Sequence, residues 1–156
     1  MVDNSINKTA WRAARRKELE LPDYTVLEEI LNAATHGVGA GLAVAGFVAL
    51  LIYGRHDVMT TAAVSIFGVT MIMLYSVSTL YHALDVCNGK KIFRILDHCT
   101  IFLLIAGTYT PIALLCFGGS TGWLMFTIVW TVAIVGIVLN AVDLNRFRKF
   151  SMVCYI

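Results

Sequence analysis

Three short stretches of this chain place ionisable or hydroxyl-bearing side chains at helical spacing within otherwise apolar sequence. Glu29, Asn32 and His36 are spaced i, i+3, i+7, as are Tyr75, Ser78 and His82, so each trio shares one helical face. Asp97 and His98 open a third apolar stretch. An ionisable group inside a membrane helix costs about 2.5–3.5 kcal/mol, so each needs a reason to be there. The chemistry these residue types could share is metal-centred. An imidazole such as His82 can bind Zn²⁺, and a carboxylate such as Asp97 can bind it directly or hold its water as general base. Ser78, one turn from His82, could donate a hydrogen bond to that water or to a substrate carbonyl. The same spacing leaves a plainer alternative open, in which His82 and Asp97 sit at helix ends among headgroups. His98 falls about 100° around a helix from Asp97, which directs the two to different sides. His56, between Arg55 and Asp57, reads as solvated.

The elements that must position these groups are membrane spans. Apolar residues make up 58% of the chain and charged residues 14%, against about 45–50% and about 25% in ordinary globular domains. Of 12 Lys and Arg and 10 Asp and Glu, 11 lie before residue 30, and the rest gather between long apolar runs. That pattern excludes a soluble domain, a disordered chain and a disulfide scaffold. Crossing a hydrocarbon core of about 30 Å takes about 20 helical residues. Four stretches qualify, at about 33–53, 60–84, 96–117 and 122–142, and 150–156 reads as the start of a fifth. The expected fold is therefore all-α, a polytopic membrane helix bundle, with residues 1–28 as an arm and 29–156 as the transmembrane domain.

Outside the spans, Lys and Arg fall eleven to one on alternating sides, with Arg55 the exception. The positive-inside rule then places the N-terminus in the cytoplasm. The basic cluster from Arg12 to Lys17 leads into Glu18, Leu19, Glu20 and Pro22, which is no cleavable signal peptide. That arm is expected as a solvated, lipid-attracted helix at the membrane surface, with Trp11 as its interfacial anchor. All three polar groups then share the cytoplasmic leaflet. A net charge of +2 is too small to imply nucleic acid, so the expected partners are membrane lipids.

Several features carry structural expectations. Gly37, Gly39, Gly41 and Gly46 form a small-residue face suited to close helix packing. In Gly107-Thr108-Tyr109-Thr110-Pro111, the proline withholds a backbone donor, which predicts a kink with threonine hydroxyls satisfying freed carbonyls. Cys87, Cys99, Cys116 and Cys154 form no CxxC pair and read as free thiols.

Taken in order, Glu29-x-x-Asn32-x-x-Thr35-His36-Gly37, Ser78-Thr79-Leu80-Tyr81-His82, Leu96-Asp97-His98 and Gly107-Thr108-Tyr109-Thr110-Pro111 resemble the hemolysin III family. Those proteins are the bacterial relatives of the progestin and adipoQ receptors. The resemblance covers about residues 25 to 142. It implies a seven-helix membrane protein with a zinc site on the cytoplasmic side, of which this chain carries four helices. It also implies that His82 is a zinc ligand, that Asp97 holds the zinc-bound water, and that Ser78 lines the site. Glu29, Asn32, His36, Tyr81, Thr108 and Pro111 are expected in supporting positions. The family completes its site with an H-x-x-x-H pair on its last helix, which this sequence lacks, so it reads as a fragment or a truncated product.

Three functions follow as expectations. The first is zinc-dependent hydrolysis of lipid amides or esters at the cytoplasmic leaflet, as the resemblance to ceramide-hydrolysing receptors implies. A non-catalytic lipid receptor or membrane regulator is the second. Membrane permeabilisation, which the family name suggests, is the third; the apolar outer halves of spans one, two and four offer it no polar stripe. The expected compartment is a bacterial inner membrane.

Overall fold

The structure is a computed structural model that describes residues 2–55 and 57–155; His56 and Ile156, with the expectations placed on them, lie outside the described residues. The described residues are helical, with no strand. α1 (Val2–Glu18) is followed by α2 (Val26–Tyr53), α3 (Val58–Ala83), α4 (Asn88–Pro111) and α5 (Gly119–Tyr155). A π-helical stretch, Ile112–Phe117, extends α4. Four helical runs, Val26–Tyr53, Val58–Ala83, Asn88–Phe117 and Gly119–Phe147, are long and apolar enough to cross a membrane. This is a polytopic membrane bundle.

Local chemistry sets the helix ends. Thr25 opens α2 with a capping box: its hydroxyl accepts from the Glu28 N–H at 3.2 Å, and the Glu28 carboxylate accepts from the Thr25 N–H at 2.7 Å. That cap starts the helix at Val26, seven residues before the apolar run expected at 33, and so puts Glu29 and Asn32 on regular helix. Asp57 caps α3 by accepting from the Thr60 N–H at 3.0 Å. This contact and the Thr60 hydroxyl hold the Asp57 carboxyl below its usual value. α4 begins at Asn88, eight residues before the run expected at 96, so Lys90 and Arg94 are also helical. Hydropathy marks where the hydrocarbon begins, not where the backbone starts to coil.

Chain neighbours pack in sequence, α2 on α3, α3 on α4 and α4 on α5. α4 is central: 33% of its most apolar window is buried, against 6% for α2. Glycines let aromatic rings and threonines seat between helices. A β-carbon on Gly68 would strike Phe47, one on Gly107 would strike Thr70, and one on Gly136 would strike Phe102. In α2 the small-residue face divides. Gly39 lies under the Tyr75 ring, where a β-carbon would come within 2.8 Å, and Gly37 faces Thr79. Gly41 and Gly46 meet nothing within 4 Å, contrary to the expectation that all four serve packing. The helices meet closely only over part of their length.

Just past Pro111 the helix widens. The Gly118 N–H reaches back five residues to Ala113 O at 3.0 Å, the spacing of a π turn. Thr108 and Thr110 donate to Leu104 O and Ala106 O, both at 2.8 Å; contrary to expectation, neither serves the Gly107 carbonyl that Pro111 frees. Gly118 and Gly119, with φ of 61° and 52°, then turn the chain into α5. α5 breaks at Asp143, where φ is −156° and ψ 94°. Beyond the break the chain packs back on α4: the Tyr155 ring lies 5.0 Å from Phe102, and Ser151 donates to Asn140 Oδ1 at 2.6 Å.

Candidate functional site

The polar residues converge at the end of the bundle where α1, the start of α2, the end of α3 and the start of α4 meet. Glu29 is their hub. Its Oε1 lies 2.9 Å from Arg16 of α1 and 3.0 Å from Lys90 Nζ of α4. Its Oε2 accepts from His82 Nδ1 of α3 at 2.8 Å. Lys90 is only 1% exposed, and its ammonium also donates to Tyr81 O at 2.9 Å and Leu84 O at 2.8 Å. It stands 5.0 Å from the centre of the Tyr81 ring. A buried ammonium and carboxylate are tolerated only when their remaining hydrogen-bonding capacity is met, and here it is.

His82 is buried with Tyr24 and Tyr81 against its ring, at centroid distances of 5.6 and 4.6 Å. Because an ionised carboxylate only accepts, the contact with Glu29 fixes the proton on Nδ1 and leaves the Nε2 lone pair for other work. His36 of α2 lies 5.9 Å from the His82 ring, and its Nδ1 is 2.6 Å from Ser78 Oγ. One polar chain therefore runs from Arg16 and Lys90 through Glu29 to His82, with His36 and Ser78 beside it.

Two cavities flank His82. The larger, about 1020 Å³, lies between α1 and α2 and closes on the α3–α4 turn. Arg12, Arg16, Glu29, His82 and Lys90 form its polar end, while Val26, Ile30, Ala33 and Ala34 give it an apolar wall. The smaller, about 360 Å³, is lined by Tyr81, His82, Arg94, Asp97, His98 and Asn145, among others. His82 and Asp97 thus share a cavity. His98 lines it too, although helical geometry directs it away from Asp97; the hollow is broad enough to meet both sides of α4.

The other expected residues separate. Ser78 is buried and bonds His36, and it lines neither cavity. Asn32 is half-buried, also outside both. Thr108 and Pro111 sit along α4, well into the span and away from both cavities. Lys90, Arg16 and Arg94 play larger parts than the sequence suggested, because basic residues at span ends read as topology signals. Nothing in spacing separates buried Lys90 from Lys91, whose side chain is 44% exposed. The arm is not merely solvated: Arg12 pairs with Asp85 at 2.8 Å, and Leu19 and Leu21 pack on Val86.

The donor set can be weighed against zinc. A metal-bound histidine characteristically gives its second N–H to a carboxylate, which the Glu29–His82 pair reproduces. Catalytic zinc, however, takes three protein ligands. Among the described residues no group of three or more His, Cys, Asp or Glu side chains is placed to hold a metal ion. The described residues therefore reproduce the support of one ligand and do not assemble a metal site.

A bundle of apolar spans with a buried, charge-linked histidine at one end defines a class of integral membrane protein with a polar site near one surface. Residues 24–156 match the family described as Haemolysin-III related, and the chain belongs to it. It is 44% identical over 133 residues to Hemolysin-3 of Bacillus cereus, an alignment covering 84% of this chain and 61% of the relative. It is 39% identical over 135 residues to the Hemolysin-3 homolog of Bacillus subtilis (strain 168), covering 85% and 63%. The chain thus spans less than two thirds of the length of these relatives. No solved structure matches it.

Proposed function

We propose that this protein hydrolyses an amide or ester of a membrane lipid, with His82 as a ligand of a zinc ion and Asp97 as the general base beside it. The observation that carries this reading is the Glu29 Oε2–His82 Nδ1 contact of 2.8 Å at the polar end of a cavity with an apolar wall. Glu29 holds the imidazole with Nε2 free to ligate. Val26, Ile30, Ala33 and Ala34 suit an acyl chain entering from lipid, which brings its polar link toward His82. Asp97, half-buried in the adjoining cavity, would take the proton. The chemistry zinc supplies in such sites is a more acidic water and a polarised acyl carbonyl. Further ligands would have to come from outside the described residues; the relatives are longer than this chain. In this reading the site faces the cytoplasm of a bacterium and the protein resides in its inner membrane, in keeping with the basic residues gathered at that end.

Turnover of a fluorescent long-chain lipid amide by the purified protein in nanodiscs tests the proposal. Hydrolysis that is lost in both His82→Ala and Asp97→Ala supports it. Binding of the amide without release of fatty acid would instead make the protein a lipid receptor. The relatives' names suggest lysis of membranes; dye leaking from liposomes that carry the pure protein would favour that reading over hydrolysis.

A further inference from the structure

α1 reaches the site from outside the family-matched stretch, since that match begins at residue 24 and α1 ends at Glu18. The Arg16 guanidinium donates to Pro22 O at 2.6 Å, which fixes it beneath the turn between α1 and α2. Its other arm donates to Glu29 Oε1 at 2.9 Å, where Lys90 also arrives, from α4. Two donors from different helices brace one oxygen, and Lys90, shared with Tyr81 O and Leu84 O, holds the carboxylate less firmly without Arg16. The second oxygen therefore stays aimed at His82 Nδ1, and the ring keeps one orientation and one tautomer. Arg16 and Glu29 side chains are only 14% and 10% exposed, so water competes little for these contacts.

Side-chain contacts hold the strap elsewhere too. Among the described residues α1 packs no backbone against another helix. Its contacts include the Arg12–Asp85 pair, Arg15 donating to Asn88 Oδ1 at 2.9 Å, and the small cluster of Leu19, Leu21 and Val86 that follows it.

The geometry points to Arg16 as a positioning residue: α1 is a strap that locks the Glu29 carboxylate and, through it, the His82 imidazole. This inference rests on His82 being the working group of the proposed function, but not on the identity of the metal.

The test uses the full chain labelled with ¹⁵N-histidine in lipid nanodiscs, stripped of metal, with the His82 signal assigned by its loss in His82→Gln. The wild-type ring is expected as the Nδ1–H tautomer. In Arg16→Met the two tautomers should mix. Carbethoxylation of His82 by diethyl pyrocarbonate, followed by mass spectrometry, should quicken about tenfold, because a ring only 7% exposed becomes more accessible to the reagent once the strap loosens. Arg16→Lys should stay near wild type. Leu19→Ser, which loosens the strap without touching Glu29, should also quicken the reaction and covers the case in which Arg16→Met folds poorly. An unchanged tautomer and rate in Arg16→Met and Leu19→Ser overturn the inference. Failure of the metal reading looks different, with no zinc bound by intact protein whose His82 tautomer is nonetheless locked.

Discussion

The polar end of the bundle and its apolar middle are held by opposite means. At the polar end one carboxylate, Glu29, gathers Arg16, Lys90 and His82 from three other helices. In the middle, glycine gaps receive bulky neighbours, Phe47 at Gly68, Thr70 at Gly107 and Phe102 at Gly136. The first arrangement depends on which atoms meet and the second only on shape. A membrane supplies little hydrophobic drive between helices, so close packing holds the spans together. Packing of that kind says nothing about chemistry. The buried charges have a different cost: their desolvation is offset only by complete pairing, which makes the polar end the costlier place to disturb.

This contrast orders the expected effects of mutation. Glu29→Leu should be the most damaging, because it strands Lys90 in a site where only carbonyls remain; breaking a buried pair this way costs about 3–5 kcal/mol. Thermal unfolding in a mild detergent would show it, and Glu29→Leu combined with Lys90→Met should recover much of the loss. Gly107→Ala and Gly136→Ala come next, each overfilling a closed gap at about 1–3 kcal/mol by the same assay. Thr25→Ala should cost about 1 kcal/mol through the lost cap of α2. Gly41→Ala and Gly46→Ala, at glycines of α2 that meet no neighbour, should change stability by less than about 0.5 kcal/mol. Equal losses at Gly41 and Gly107 would break the comparison.

The smallest effect is one of pH. Thr60 holds the Asp57 carboxyl below its usual value. Its contribution to stability is therefore complete above the usual carboxylate range and fades as pH falls through the lowered value. Asp57→Asn should flatten the acid limb of the unfolding profile slightly and leave the neutral region unchanged.

Much of the fold was legible in the sequence because hydropathy runs report spans directly. The four spans fall where the apolar stretches lie, while their starts were misplaced at Val26 and Asn88, since caps and charged first turns are invisible to hydropathy. The trios at i, i+3, i+7 correctly set Glu29 with His36 and Ser78 with His82 on facing surfaces. Their partners were hidden for a different reason. Lys90 and Arg16 have the residue type and position of topology-setting cations, and only the packing of α1 and α4 around Glu29 turns them inward. Gly41 and Gly46 misled in the opposite direction, because small residues permit close approach without requiring it.

If, as proposed, His82 ligates zinc, its contact with Glu29 supports a metal ligand. Metal analysis of the protein, extracted intact from its own host membrane, tests this most directly. The account predicts stoichiometric zinc in the wild type, its loss in His82→Ala, and weaker retention in Glu29→Gln. Full zinc occupancy in His82→Ala would contradict it.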